Sequence, residues 1–375
     1  MTDSEKGLAD ITAADSALSF IDGEAGRLFY RGYDIHALAG QGSFTEALYL
    51  LWYGELPNRV ALIAFEGLLA QERRLPTELE AVLRAIPSAA PPMSVLRTAV
   101  SVLGGVDGEA GISSPEADLR KAGRLVSTLP VAVAANHRIR SGFEPIHPDP
   151  DLSLAADFLR MLTGDLPDDV SVKALDTSLL LYLDHGLNAS TFACRVVAST
   201  LADLHASVTA GVAALSGPLH GGANEQAMRM LDAIGSVDKV DGYLDRELAA
   251  KRKIMGFGHR VYRGEDPRAT HLRRMAEELG AASGDSTSYQ LFRAVEVAML
   301  DKKGLHCNVD FYCASVYRSL GIPLALFTPL FAIGRCGGWA AHVMEQHGNN
   351  RLIRPRARYT GEPERPYIRI EQRQH

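Results

Sequence analysis

Three short stretches hold residue types able to move protons or bind anions, and each is a tight loop running into a helical pattern. Ser216 to Leu231 reads SGPLHGGANEQAMRML. Gly217 and Pro218 make a turn that ends in His220. Gly221 and Gly222 leave room for a ligand or another backbone, and Ala227, Met228 and Leu231 recur at helical spacing. An imidazole at a helix N-terminus faces unpaired N–H groups and the positive dipole end, which biases His220 toward the neutral form. The stretch also reads as a glycine-rich loop before an ordinary helix, with His220 merely satisfied inside. In Met255 to Arg268, MGFGHRVYRGEDPR, Gly256 and Gly258 bracket Phe257, and His259, Arg263, Asp266 and Arg268 follow. The Gly-x-Gly lacks the third glycine and the preceding strand of a dinucleotide loop. It reads better as backbone lying close to a ligand, with an imidazole and a guanidinium aimed inward. The third stretch, His306 to Tyr312 (HCNVDFY), puts Asp310 at a helix start with Asn308 two residues earlier. Alone, Asp310 there reads as a helix cap. Arg335 in FAIGRCGGW and Arg354 in LIRPRARYTG add guanidiniums that, taken singly, read equally as surface charge.

The elements around these loops are helical almost throughout. Ser19-Phe20-Ile21 and Arg27 to Tyr30 flank Asp22 to Gly26 and read as a small hairpin. Ser43 followed three residues later by Glu46 suits a capping box that opens the helix beyond it. Apolar residues at three- and four-residue spacing then predict helices near 58–73, 76–86, 92–104, 114–138, 151–163 and 170–183. Others are expected near 222–235, 237–249, 266–281, 287–301, 309–320 and 332–347. Asn188 to Leu215 is rich in Ala, Val and Thr and short of charge, which predicts one or two deeply buried helices. The fold class is all-α, a many-helix globule with one N-terminal hairpin. A doubly wound α/β fold would need recurring buried β-branched runs, which the chain does not supply.

With 375 residues the chain is long enough for a large core and for two domains. A net charge of -6, and no basic run longer than Lys251-Arg252-Lys253, argue against a nucleic-acid partner. Cys194, Cys307, Cys313 and Cys336 form no CxxC pair and read as reduced thiols in a cytoplasmic protein. The start, MTDSEKGLADITAADS, lacks a signal-peptide pattern, and no uninterrupted apolar run approaches the length of a membrane span. No HExxH motif or carboxylate–histidine cluster at ligand spacing predicts a metal.

Taken together, GPLHGGANE, GFGHRVYRGEDPR and NVDFYCASVY resemble the three signature regions of the citrate synthase family, in order and with matching separations. The likeness runs from IDGEAGRLFYRGYDI to NNRLIRPRARYTG, nearly the whole chain. It is strongest with the shorter, dimeric form of many bacteria and archaea, without the N-terminal domain that carries NADH inhibition in the longer hexameric type. The resemblance implies two helical domains, a small one at 217–317 set between large-domain parts at 1–216 and 318–375. It implies Asp310 as the base that deprotonates the acetyl-CoA methyl group. His220 would be the neutral donor to the enolate oxygen, and His259 the donor to the oxaloacetate ketone.

Oxaloacetate's two carboxylates would meet Arg268, Arg335 and, from a second subunit of a homodimer, Arg354. His185, in LDHGLNAS, and Phe331 match further substrate-binding positions. The backbone of Met255, Gly256, Phe257 and Gly258 would cradle the adenine of CoA, with Arg263 near its phosphates. No metal or resident cofactor is implied. The same residues would serve a 2-methylcitrate synthase using propionyl-CoA, and a non-catalytic helical scaffold is the alternative of another class. Against the scaffold, every implied catalytic position holds the required residue type. The C-terminal segment, with Pro355, Pro363 and Pro366, reads as an extended arm able to cross a dyad.

Overall fold

The computed structural model describes residues 7, 11–284, 286–362 and 364–373. Most of the polar start (residues 1–6 and 8–10) and Pro363 of the arm lie outside the described residues. The chain opens with a three-stranded antiparallel sheet, β1 Ser19–Asp22, β2 Arg27–Tyr30 and β3 Tyr33–Asp34. The first pair is the expected hairpin, with Ser19 opposite Tyr30. The third strand goes beyond it. Arg31 and Gly32 both take positive φ, 48° and 87°, which closes a two-residue turn of the hand that hairpins favour. Arg-Gly is a weak sequence signal for that turn.

Sixteen α-helices follow among the described residues. The first six are α1 Ile35–Gln41, α2 Phe44–Tyr53, α3 Arg59–Glu72, α4 Thr77–Ala85, α5 Pro92–Val106 and α6 Pro115–Arg140. Next come α7 Leu154–Thr163, α8 Asp169–Tyr182, α9 Ala189–Ala198 and α10 Leu204–Leu215. Then follow α11 Ala223–Ile234, α12 Val240–Ala249, α13 Pro267–Ser283, α14 Thr287–Lys303, α15 Val309–Ser319 and α16 Phe327–Gly348. Local chemistry sets many of the starts. The Ser43–Glu46 capping box forms with both reciprocal bonds, and Asn58, Ser114, Ser153, Asp168, Asn188 and Asp203 each accept an N–H of the following first turn.

The all-α expectation agrees with this architecture. α16 begins five residues before the predicted 332, since Pro329 sits in its first turn, where a missing N–H costs nothing. It is buried along its length and packs on α6, α8, α9 and α10. Residues 324–348 are long and apolar enough to cross a membrane by length and composition, although Arg335, His342 and Glu345 interrupt the run. The most apolar part of that stretch, however, is 89% buried inside the protein, as part of its core. Gly338 lets α16 approach the chain just before His185: a Cβ there would lie 2.0 Å from the Leu183 carbonyl oxygen.

The segment 188–215 folds as two helices, and its expected burial is only half realised. α10 packs on α5, α9 and α16, while Phe192, Ala193, Val196 and Val197 of α9 and Ala210, Ala213 and Ala214 of α10 stay partly exposed. The small apolar residues on the open faces are of the same types as those inside, so composition could not tell the faces apart. In the 217–317 segment, α13 and α15 pack on α8, α13 also meets α1, and α11 meets α16. The site lies where these elements converge.

Candidate active site

The second and third motifs zip together before either presents a side chain. Gly258 N–H donates to the His306 carbonyl at 3.0 Å, and Asn308 N–H donates to Gly256 O at 2.9 Å, around an antiparallel bridge of Phe257 with Cys307. Asn308 Nδ2 adds a bond to Gly258 O at 3.0 Å. Gly256 and Gly258 hold φ of +83° and +74°, and a Cβ on Gly256 would lie 2.8 Å from the Phe311 side chain. This clamp fixes His259 and the start of α15 relative to each other.

Asp310 does not cap its helix. Asn308 does, its Oδ1 accepting the Asp310 N–H at 3.1 Å. The Asp310 carboxylate is thereby left for other work, and its Oδ1 accepts the Tyr182 hydroxyl at 2.9 Å. Burial pushes its pKa up to about 6, against the opposing pull of the Tyr182 bond and of Arg268 and Arg335. A carboxylate so raised is a stronger base than an ordinary aspartate yet still ionised at neutral pH.

Two imidazoles are held neutral with known donor sides. The N–H groups of Val261 and Tyr262 both donate to His259 Nδ1, at 3.0 and 3.1 Å, so Nε2 carries the proton. His220 Nε2 accepts the Ser190 N–H at 3.3 Å and meets Ser190 Oγ at 2.8 Å, which leaves its proton on Nδ1. Trp339 Nε1 donates to Ser190 Oγ at 3.1 Å and holds that contact in place. Burial, aided by Arg268 for His259 and Arg335 for His220, lowers each pKa to about 4. His220 precedes α11 as the sequence suggested, but the helix N–H it meets belongs to the first turn of α9. Gly221 makes the turn tight enough, since a Cβ there would lie 2.4 Å from the Leu215 carbonyl oxygen.

Cationic side chains sit beside the imidazoles. Arg268, 2% exposed, is gripped by Asp266 through Nε and Nη2 at 2.9 and 2.8 Å. Asp266 Oδ2 also accepts the Val309 N–H at 3.1 Å, tying this arginine to the helix that carries Asp310. Removing Asp266 would leave a buried guanidinium unpaired, at a cost of ~3–5 kcal/mol. Arg335, 1% exposed, donates from Nε to the Tyr182 carbonyl at 2.5 Å and lies 4.9 Å over the Phe331 ring. His185 Nε2 pairs with the Tyr262 hydroxyl at 3.1 Å, and its ring meets that of His259 edge-on at 5.3 Å. A base, two neutral donors and two buried cations therefore face one region, an arrangement able to enolise a weak carbon acid beside a dicarboxylate.

The family described as "citrate synthase, C-terminal domain" matches residues 7–356. The chain belongs to the citrate synthase family. It is 46% identical to citrate synthase 2 of Bacillus subtilis over 98% of this chain and 99% of that one. It is 42% identical to the 2-methylcitrate synthase of Shewanella oneidensis over the full length of both. Among solved structures it resembles the citrate synthase of Thermotoga maritima, with TM-score 0.89, 38% identity and 99% of each chain covered. It also resembles the ternary complex of carboxymethyl coenzyme A and oxaloacetate with citrate synthase from Thermoplasma acidophilum. There the TM-score is 0.92 and the identity 33%, over 98% of this chain and 99% of that one.

Of the residues matched to the citrate synthase signatures, His185, His220, His259, Arg268, Asp310, Phe331 and Arg335 are joined through the contacts above. Met255 and Phe257 are partly buried beside them. Arg263 stands apart on the surface, with Nε 3.4 Å from Glu24. Arg354 is exposed in the C-terminal segment, and no contact among the described residues ties it to this cluster. Sequence reasoning missed several supports. Tyr182 reads as one more apolar position of a helix, and Ser190 as a residue of the next helix. Asp184 carries a signal in its place directly before His185. It accepts from Ser19 Oγ at 2.5 Å and contacts His342 Nε2 at 3.1 Å, while Tyr30 donates to its carbonyl at 2.9 Å, so the N-terminal sheet braces the His185 loop.

One group among the described residues, Glu265, Glu296 and Cys307, brings metal-ligand atoms within 4.8 Å of one another. Arg273 pairs with both carboxylates and Arg293 with Glu296, so the charge a cation would bring is already supplied. All four cysteines are buried and unpaired.

Proposed function

We propose that this chain condenses acetyl-CoA with oxaloacetate and water, giving citrate and CoA. The observation that carries the reading is Asp310, a carboxylate raised to about 6, together with two imidazoles whose free nitrogens bear protons. Asp310 takes a proton from the acetyl methyl group, and the enolate oxygen accepts a hydrogen bond from neutral His220. The enolate carbon attacks the oxaloacetate ketone while His259 Nε2–H donates to the developing alkoxide. Water then cleaves the thioester and the CoA thiol leaves. Arg268, Arg335 and His185 hold the dicarboxylate, with Arg354 supplied by the second subunit of a homodimer, and Phe331 packs beside it. The backbone from Met255 to Gly258 receives the adenine, with Arg263 toward the phosphates. These steps use no metal or resident cofactor; acetyl-CoA is a co-substrate.

In this reading 217–317 forms the small domain and 1–216 with 318–375 the large one, so a bound dianion bridges Arg268 of one to Arg335 of the other. The half-open apolar faces of α9 and α10 support the homodimer. The buried, unpaired cysteines fit a reducing, cytoplasmic compartment.

The 42% identical 2-methylcitrate synthase keeps propionyl-CoA as the second reading, since one methylene is worth only ~1–3 kcal/mol of discrimination. Steady-state release of CoA thiol, with oxaloacetate and either acyl-CoA, tests both. A kcat/KM higher for acetyl-CoA is expected. A preference for propionyl-CoA moves the assignment to methylcitrate formation, and no oxaloacetate-dependent release with either leaves a non-catalytic scaffold.

A further inference from the structure

The carboxylate read above as the base has a partner that enolisation itself does not call for. Tyr182 is the last residue of α8, fully buried, and its hydroxyl reaches 2.9 Å across to Oδ1 of Asp310 in the first turn of α15. Two further contacts hold that residue still. Its own carbonyl accepts Arg335 Nε at 2.5 Å, and its ring packs on Phe331 at a 4.1 Å centroid distance and 31° between planes. Phe331 in turn lies between Arg335 and the His220 ring, 4.9 and 6.3 Å away. One side chain thus joins the dicarboxylate-binding arginine, the aromatic wall and the base.

We infer that Tyr182 is a positioning residue for Asp310, holding Oδ1 so that Oδ2 faces the acyl methyl group, and setting the pH range in which the carboxylate is ionised. This rests on Asp310 being the base. Burial, together with the neighbouring Asp310 charge, keeps the phenol un-ionised far above neutral pH, so it donates throughout the working range. A donated hydrogen bond favours the carboxylate over the acid, and this bond leads the influences that oppose burial at Asp310. The other charged groups acting there are Arg268 and Arg335, which favour the anion, and Asp266, which disfavours it. Without the phenol those three remain, and burial raises the carboxyl further. Tyr182 therefore gives up some base strength for a larger ionised fraction near neutrality.

The test is the pH dependence of kcat for Tyr182→Phe, which keeps the ring on Phe331 and loses only the hydroxyl. The acid limb is expected to move to higher pH by about one unit, the size of one hydrogen bond to a charged group. kcat at pH 7 should fall about two-fold, and approach a roughly ten-fold loss below about pH 6, while KM for oxaloacetate stays within about two-fold. An acid limb superimposed on that of the parent, whatever the uniform change in kcat, overturns the proposal. Should this variant not fold, 3-fluorotyrosine incorporated at position 182, a stronger donor of nearly the same shape, is expected to move the limb to lower pH. No movement then overturns it as well. Asp310→Asn, measured alongside, separates the two failures. A variant keeping a tenth of kcat or more removes Asp310 as the base. An inactive Asp310→Asn with an unmoved Tyr182→Phe profile removes only the role of Tyr182.

Discussion

Replacing Asp310 with asparagine removes a charge that folding buries, so the variant is expected to be more stable than the parent above about pH 4. In the folded protein burial holds this carboxyl at about 6 against an ordinary 3.8. That is about two pH units, each worth 1.36 kcal/mol, or about 3 kcal/mol as an upper bound. The sign follows from the direction of the shift. A carboxyl raised by folding costs nothing below its unfolded pKa, and stability is lost as pH rises from there through the folded value. The gain in the variant is therefore about 3 kcal/mol at pH 8, shrinks to about 1 kcal/mol at pH 4.5, and vanishes below that. An asparagine oxygen can still accept the Tyr182 hydroxyl, so the hydrogen bond is not lost with the charge. Urea unfolding of both proteins at the two pH values, at matched protein concentration, reads the difference directly. Equal stability at pH 8, or a gain of the same size at both, would refute the burial argument.

Gly256→Ala is expected to destabilise by about 2–4 kcal/mol, combining a strained positive φ with overlap on Phe311; a urea-unfolding loss under about 1 kcal/mol contradicts the tight clamp. Arg354→Ala and Asp310→Asn, each nearly inactive alone, are expected to regain about a quarter of parental activity when unfolded and refolded together. Random pairing makes half the dimers mixed, each with one intact site; a mixture as inactive as its parents places Arg354 in its own subunit's site.

What the chain disclosed in advance was mostly local. Ser43 with Glu46 and the helix periods depend on residues a few positions apart, and they fold as read. Two of the three loop motifs were legible from glycines whose spacing a close backbone approach explains, and Gly221 and Gly256 each face an atom that forbids a Cβ. Asp310 shows where locality runs out. Asn308 and Asp310 are both cap-forming types two residues apart, and only the fold shows that the first caps while the second is free. Tyr182 meets Asp310 across 128 positions, and Ser190 meets His220 across 30, so neither pairing had a local signal. The open faces of α9 and α10 were hidden because their apolar residues are of the same types as those inside.

Activity and ligand binding of Asp310→Asn test the central claim most directly. The parent is expected to release CoA thiol from acetyl-CoA only with oxaloacetate present. In the variant kcat should fall by roughly 10²–10⁴, the range of a lost general base, with the oxaloacetate dissociation constant within a few-fold of the parent's. A variant that keeps a tenth or more of parental kcat would contradict the account, leaving Asp310 a buried carboxylate without a part in the chemistry.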